Sequence, residues 1–139
     1  MPPGRIRPAA VAGSWYPDDP DELAAMIDEL LAAVAPVDGE PIGLILPHAG
    51  YVFSGPVAAC GFKQLEGVEY DVAVIVGSDH QAPLSQPISV WAEGGFETPL
   101  GVVPVDVELA QALVETDPRI TFDPAAHERE HPIEIELPF

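Results

Sequence analysis

The sequence IGLILPHAGYVFSG occupies residues 42–55 and carries the strongest signal for the fold class. Its first six residues, 42–47, form a short and almost continuously apolar run. The run is too short for a buried helix, and Pro41 and Pro47 stand at its ends, so we predict a buried β-strand. Buried strands without polar alternation are typical of parallel sheets whose two faces are both covered.

A second apolar run, VAVIVG (72–77), has the same length and character. We predict a strand there, and a helix over residues 56–65 with Ser54 or Gly55 as its N-cap. A strand, a helix and a strand in this order form a parallel pair joined by a right-handed crossover. The sequence therefore predicts an α/β fold with a mainly parallel central sheet.

An amphipathic helix is predicted before this unit. Asp19 and Glu22 have the spacing of a capping box, and Pro20 suits the first helical position. Apolar residues then recur at i, i+3 and i+4, and Pro36 and Gly39 end the helix. The apolar residues are Leu23, Met26, Ile27, Leu30, Leu31 and Val34.

Further elements are predicted after the strand–helix–strand unit. Residues 87–93 read as a third strand, and residues 96–105 as two extended pieces joined by a turn at Gly101. Asp106 is the predicted N-cap of a helix that ends near Glu115, with an apolar side that is expected to be buried. That side consists of Leu109, Ala110, Leu113 and Val114.

The C-terminal segment HPIEIELPF (131–139) permits two interpretations. Ile133, Ile135 and Leu137 alternate as they would in a strand, and the same segment can equally open a helix. It carries no stop signal, so we expect residues 1–139 to form a single α/β domain that is truncated at its C-terminus. An exposed half-sheet of this kind would favour self-association.

Composition excludes several classes of function. The chain has 23 Asp and Glu against five Lys and Arg, a formal net charge of −18. This charge repels phosphate backbones and anionic lipids, so we expect neither a nucleic-acid nor a membrane partner. There is no membrane-spanning run and no secretory signal, which indicates a cytoplasmic protein. The single cysteine, Cys60, excludes an internal disulfide and is expected to pack as a small apolar residue.

Two histidines follow the two predicted strands. His48 comes directly after the first strand, and His80 lies three residues beyond Gly77. Ligands bind at the carboxyl ends of parallel strands, and neighbouring strands lie about 4.8 Å apart, so both imidazoles can reach one metal ion. The alternative is two unrelated loop histidines that bond to the backbone, and a metal site requires a third ligand.

Five motifs in order resemble those of the Memo-like family, whose prokaryotic members are known as AmmeMemoRadiSam system protein B. The resemblance implies a three-layer α/β/α fold similar to the LigB-type class III extradiol dioxygenases. It implies that His48 and His80 are metal ligands, with iron or copper as the metal; zinc is a further candidate. The motifs are RPAAVAGSWYP (7–17), PHAGYVFSG (47–55), GSDH (77–80), TPLG (98–101) and EHPIEIELPF (130–139).

The sequence departs from the family pattern at three points. GSDH replaces the usual GPSH and puts Asp79 beside the ligand, and HPIE replaces the common HSIE beside His131. Chains of the family continue further and carry a cysteine ligand in that part, which Cys60 does not match. The third ligand is therefore not identified.

Other residues receive weaker assignments. His131 is a candidate acid or base, or an outer group of the pocket, and a capping or core role is as good an interpretation. Glu130 and Asp79 are candidate outer groups of the same pocket, although a carboxylate such as Asp79 is more often a turn residue. Tyr51 lines the pocket or packs in the core. His127 is expected to be solvated.

The predicted function is that of a Memo-like non-haem metal-binding protein, with an oxidoreductase activity related to extradiol dioxygenases as its enzymatic form. The alternatives are a non-catalytic adaptor that binds phosphorylated peptides, or the partner of a radical-SAM protein. The small number of cations argues against a phosphate ligand. The sequence does not decide between an enzyme and a binding module, and its partner is an unknown small molecule or peptide.

Overall fold

The computed structural model describes residues 4–81 and 88–139. These residues contain four α-helices and five short strands. Two 3-10 turns, Lys63–Leu65 and Pro124–Ala126, complete the regular elements. In chain order the strands and α-helices are β1 (Ile6–Arg7), α1 (Pro20–Ala32), α2 (Tyr51–Phe62), β2 (Ile88–Ser89), β3 (Gly95–Thr98), β4 (Gly101–Pro104), α3 (Val107–Thr116), β5 (Ile120–Thr121) and α4 (Pro132–Glu136).

The strands form two small sheets with mainly parallel pairing. β1 runs parallel to β3, with Ile6 opposite Gly95, and β2 runs parallel to β5, with Ile88 opposite Ile120. β3 and β4 form an antiparallel hairpin. The predicted α/β class with mainly parallel strands is confirmed. No helix in the described parts of the chain is both long enough and apolar enough to cross a membrane.

Local signals place three elements where they were predicted. Asp19 caps α1, and its carboxylate accepts hydrogen bonds from the backbone N–H groups of Asp21 and Glu22. Asp106 caps α3 through the N–H of Leu109. Gly101 has φ +131°, a conformation that favours glycine, and it opens β4 directly after the predicted turn.

The main core joins the N-terminal arm to the helices. Tyr16 from the arm packs with Leu23 and Ile27 of α1, Tyr51 of α2 and Ile135 of α4. The apolar stripe of α1 is therefore buried as predicted at its centre. The C-terminal segment takes the helical alternative, with His131 at the N-cap and Pro132 at the first helical position.

The two predicted buried strands are wrong. Residues 42–47 and 72–77 have no strand pairing in the described structure. Several of their apolar side chains face solvent, since Ile45 is fully exposed and Val76 is 89% exposed, whereas Leu44 and Leu46 are partly buried beside Gly61 of α2. A strand is defined by ladder hydrogen bonds to a neighbour, and no described strand pairs with these two segments.

The helix predicted over 56–65 begins earlier, at Tyr51, with Gly50 as N-cap. Pro56, the first residue of the predicted helix, lies inside the observed one. Proline removes one N–H there and leaves the carbonyl four residues earlier, that of Val52, without its helical donor. Val52 lies on the exposed side of the helix, where water can satisfy that carbonyl.

Three smaller predictions are also wrong. The third strand shortens to β2, because its partner β5 is only two residues long; residue 87, where it was predicted to begin, lies outside the described residues. Of the apolar side of α3, only Ala110 is buried. Cys60 is exposed, since its helix buries the opposite side through residues such as Ala59.

His127 was expected to be solvated and is buried instead. Its Nε2 lies 2.9 Å from the Ser89 hydroxyl, and its ring meets the rings of Trp91 and Phe96 edge-on. Burial lowers the pKa of His127, and the nearby Arg7 guanidinium lowers it further. Charged residues flank His127 in the sequence and suggested solvent exposure, whereas the aromatic residues that bury it come from distant parts of the chain.

Candidate metal centre

Three histidines from separate parts of the chain come together at one point. One ligand atom from each of His48, His80 and His131 lies within 4.8 Å of the other two. The ring centroids of His48 and His80 are 5.4 Å apart, and those of His80 and His131 are 4.7 Å apart in a stacked arrangement. This cluster contains both histidines predicted as ligands and adds His131.

The loop that carries His48 is tied to the N-terminal arm. The backbone N–H of Tyr51 donates to the Trp15 carbonyl at 2.8 Å. Gly50 lies so close to Trp15 that a Cβ on Gly50 would approach the Trp15 carbonyl oxygen to 3.2 Å. The arm therefore fixes the turn between residues 42–47 and α2, and with it the position of His48.

A close backbone approach brings His80 to His131. A Cβ at Gly77 would lie only 2.7 Å from the Cβ of Pro132, so a larger residue would push the two segments apart. The approach brings the segment after Gly77, which carries His80, against the start of α4. The glycine thus allows close contact between the two segments.

Glu130 bonds to His80 at two points. Its Oε2 accepts from the backbone N–H of His80 at 2.9 Å and lies 3.0 Å from the ring Nδ1. Its Oε1 lies 3.9 Å from Nδ1 of His131 and, within the described residues, is buried without a hydrogen-bond partner. One carboxylate thus faces two of the three imidazoles.

Burial and ring packing shape the surroundings of His131. The Trp15 ring packs against it with centroids 4.3 Å apart. Burial lowers the pKa of His131; the Glu130 carboxylate acts in the opposite direction, while His80 and His48 lower the pKa further. His131 therefore favours its neutral form, which is the form that binds metals.

A buried ion pair holds the C-terminal segment to the arm. Arg7 and Glu134 are both 1% exposed and pair directly, and Arg7 also donates to the His127 carbonyl at 3.0 Å and to the Glu130 carbonyl. Glu134 accepts further bonds from the backbone N–H groups of Ala10 and Val11. The segment that carries Glu130 and His131 is thereby fixed at both ends.

The three histidines fit one metal ion in size and chemistry. Imidazole nitrogens bound to one tetrahedral ion at about 2.0–2.1 Å lie about 3.4 Å from each other. The separations here are at most 4.8 Å, so a closure of about 1.4 Å or less brings the donors to that distance. His48 and His80 lie on loops, which can make such a movement.

Comparison with known proteins identifies the family to which this chain belongs. The sequence model of the family described as Memo-like protein matches residues 7–139. The chain belongs to the Memo-like family. A MEMO1 family protein of Thermotoga maritima is 42% identical over 96% of this chain and 52% of its own length. MEMO1 family proteins of Methanocaldococcus jannaschii and Aquifex aeolicus are each 40% identical over 97% of this chain.

This Memo-like chain spans about half the length of these curated relatives. The motifs that carried the resemblance contribute all three members of the histidine cluster. PHAGYVFSG supplies His48, GSDH supplies His80 and EHPIEIELPF supplies His131. The resemblance did not mark His131 as a ligand, and its position beside the other two is the main new fact about the site.

The structure places the other candidate residues outside the cluster. Asp79 accepts the N–H of Gln81 at 2.9 Å, as a turn residue does. Tyr51 lies in the core, where it packs against Tyr16 and Phe139, and its hydroxyl donates to the Ile135 carbonyl. Burial raises the pKa of Tyr51, so its hydroxyl stays protonated.

Sequence reasoning missed the Arg7–Glu134 pair. The sequence did contain an indication of this pair, because Arg7 is one of only five basic residues and Glu134 stands between Ile133 and Ile135 in an apolar segment. A charge in such a segment indicates a buried partner.

Proposed function

We propose that this Memo-like chain binds one transition-metal ion through His48, His80 and His131. The observation that carries the proposal is the convergence of three imidazoles that lie 32 and 51 residues apart along the chain. Each histidine has a different structural support, from the arm, from the Gly77 contact and from α4. Two separate contacts, the arm with the His48 loop and the Gly77 segment with Pro132 of α4, bring three distant imidazoles to one point, which favours a site over chance.

The donor set favours particular metals. Imidazole nitrogen suits zinc, copper and iron, whereas magnesium and calcium prefer oxygen ligands. The formal charge of −18 attracts cations to the whole molecule, so it raises the local concentration of any metal ion without selecting one. We therefore expect zinc, copper(II) and iron(II) to compete for this site, and calcium to be excluded.

Three protein ligands leave coordination positions open. When bound, the metal would supply Lewis acidity and, if it is iron or copper, redox chemistry at those positions. Solvent molecules can reach the site beside His80, whose side chain is 41% exposed, and the Trp15 ring covers one side of His131. We propose a metal-dependent oxidoreductase acting on a small molecule as the activity of the site.

The test is a calorimetric titration of the metal-stripped chain with zinc and with iron(II) under argon. We expect one ion per chain in the wild type, and weaker binding by tenfold or more in His48→Ala, His80→Ala and His131→Ala. His127→Gln is the matched control, because it removes the remaining one of the four histidines, which lies outside the cluster. Equal binding by the wild type and a His48→Ala, His80→Ala double variant would defeat the proposal.

A further inference from the structure

Glu130 lies between the imidazoles of His80 and His131, so that its carboxylate can contact both. Its side chain is nine-tenths buried, at 10% exposed. Oε2 lies 3.0 Å from His80 Nδ1, and Oε1 lies 3.9 Å from His131 Nδ1. We infer that Glu130 is a positioning residue that holds both imidazoles for metal binding, one on each oxygen. The inference rests on the proposed metal site.

The contact with His80 fixes both its backbone and its ring. The same Oε2 accepts the His80 backbone N–H at 2.9 Å, so the ring cannot swing away without breaking a two-point contact. A carboxylate that accepts from Nδ1 selects the tautomer with its proton there, which leaves Nε2 with a free lone pair for a metal. This matters because His80 is the most exposed of the three rings.

The second oxygen of Glu130 lacks a partner within the described residues. Oε1 is buried, and a buried carboxylate oxygen without a hydrogen bond costs free energy. Nδ1 of His131, at 3.9 Å, is about 1 Å beyond hydrogen-bond distance from it. The closure that brings the three donors to ligand spacing is of similar size. We propose that this closure also gives Oε1 the Nδ1–H of His131.

The consequence is that one carboxylate orients two ligands and balances part of the metal charge. Carboxylate partners of metal-bound histidines contribute about 10–100-fold in metal affinity. Glu130 is therefore expected to control affinity without binding the ion itself. His48 is held by the loop that Trp15 anchors.

The experiment compares Glu130→Ala, Glu130→Gln and the control Glu128→Ala. Glu128 is two residues away, carries the same charge and is exposed. Zinc affinity is measured by competition at fixed pH and salt, and the His80 tautomer of the metal-free chain by ¹⁵N NMR. We expect zinc affinity to fall about 100-fold for the alanine variant and about tenfold for the glutamine variant, which keeps one acceptor. The control should change it less than twofold.

The tautomer of His80 distinguishes a failure of this inference from a failure of the proposed metal site. In the metal-free wild type, His80 should be protonated at Nδ1, and Glu130→Ala should give a mixture of tautomers. An unchanged tautomer in both Glu130 variants overturns the inference, whatever the zinc affinities are. A wild type that takes up no zinc defeats the metal site, while the tautomer shift still measures the Glu130–His80 contact. If the alanine variant does not fold, Glu130→Gln decides through zinc affinity, because its amide oxygen can still accept from His80 Nδ1; an affinity within twofold of the wild type overturns the inference.

Discussion

Replacing Glu134 by glutamine tests how the N-terminal arm is held to the C-terminal segment. The substitution keeps the shape of the side chain and removes its charge. Arg7, at 1% exposed, would then be a buried cation without its counter-ion. The glutamine would also have a single oxygen for donors that the two carboxylate oxygens now share, namely Ala10, Val11 and the Tyr16 hydroxyl.

The expected loss is large relative to the total stability. Removing one partner of a buried ion pair costs about 3–5 kcal/mol, and domains of this size unfold with about 5–15 kcal/mol. At roughly 3–5 °C per kcal/mol for this chain length, the melting temperature should fall by about 10–20 °C. Thermal and urea denaturation followed by circular dichroism measure both quantities.

Two controls define the result. Asp117→Asn breaks the exposed pair with Arg119 and should leave the melting temperature unchanged. An Arg7→Met, Glu134→Gln double variant removes the unpaired buried cation while it keeps an acceptor for the N-terminal arm, and it should recover part of the loss. A Glu134→Gln variant that loses less than about 1 kcal/mol would refute the assignment of this pair as the main anchor.

The stability lost in Glu134→Gln is expected to depend on pH. Burial alone would raise the pKa of Glu134, but hydrogen bonds from Arg7, Tyr16 and the backbone of Ala10 and Val11 outweigh burial and lower it below 4.5. A lowered folded-state pKa gives stability that is complete above pH 4.5 and is lost as the pH falls through the folded value. The difference between wild type and Glu134→Gln should therefore shrink in acid.

Three further predictions concern charge and exposed apolar surface. Burial raises the pKa of Glu136 from 4.5 to about 7, so its stabilising contribution is lost as the pH rises through 7. The Glu136→Gln variant should therefore be more stable than the wild type by up to about 3 kcal/mol at pH 8 and by almost nothing at pH 4. Equal gains at both pH values would contradict this. Because the net charge is −18, the melting temperature of the wild type should rise from low salt to about 1 M KCl, and a flat or falling curve would count against self-repulsion. Ile45→Lys and Val76→Lys should each reduce self-association in light scattering, because both wild-type side chains are exposed and apolar; unchanged scattering would remove residues 42–47 and 72–77 as the cause.

Signals contained within a few residues were sufficient to predict several elements. The cap at Asp19, the hairpin turn at Gly101 and the cap at Asp106 depend on side chains and dihedral angles within one turn of chain. The buried strands failed for the opposite reason. Residues 42–47 and 72–77 have strand-like composition, but pairing depends on a neighbouring segment that local composition cannot reveal.

The candidate site was predictable in part. The strand-end argument selected His48 and His80, whose rings lie 5.4 Å apart although the predicted strands do not pair. Their proximity comes instead from contacts far apart in sequence: the backbone of Tyr51 with Trp15 for the His48 loop, and Gly77 with Pro132 for the His80 segment. The ambiguity of residues 131–139 between strand and helix left the direction of His131 open until the fold was known.

X-ray absorption of the metal-loaded chain tests the central claim most directly, because it counts and identifies the atoms around the ion. With zinc bound to the wild type, we predict three imidazole nitrogens at about 2.0–2.1 Å, and two in His131→Ala. A shell made of oxygen alone, or a spectrum that is the same in both proteins, would contradict a three-histidine metal centre.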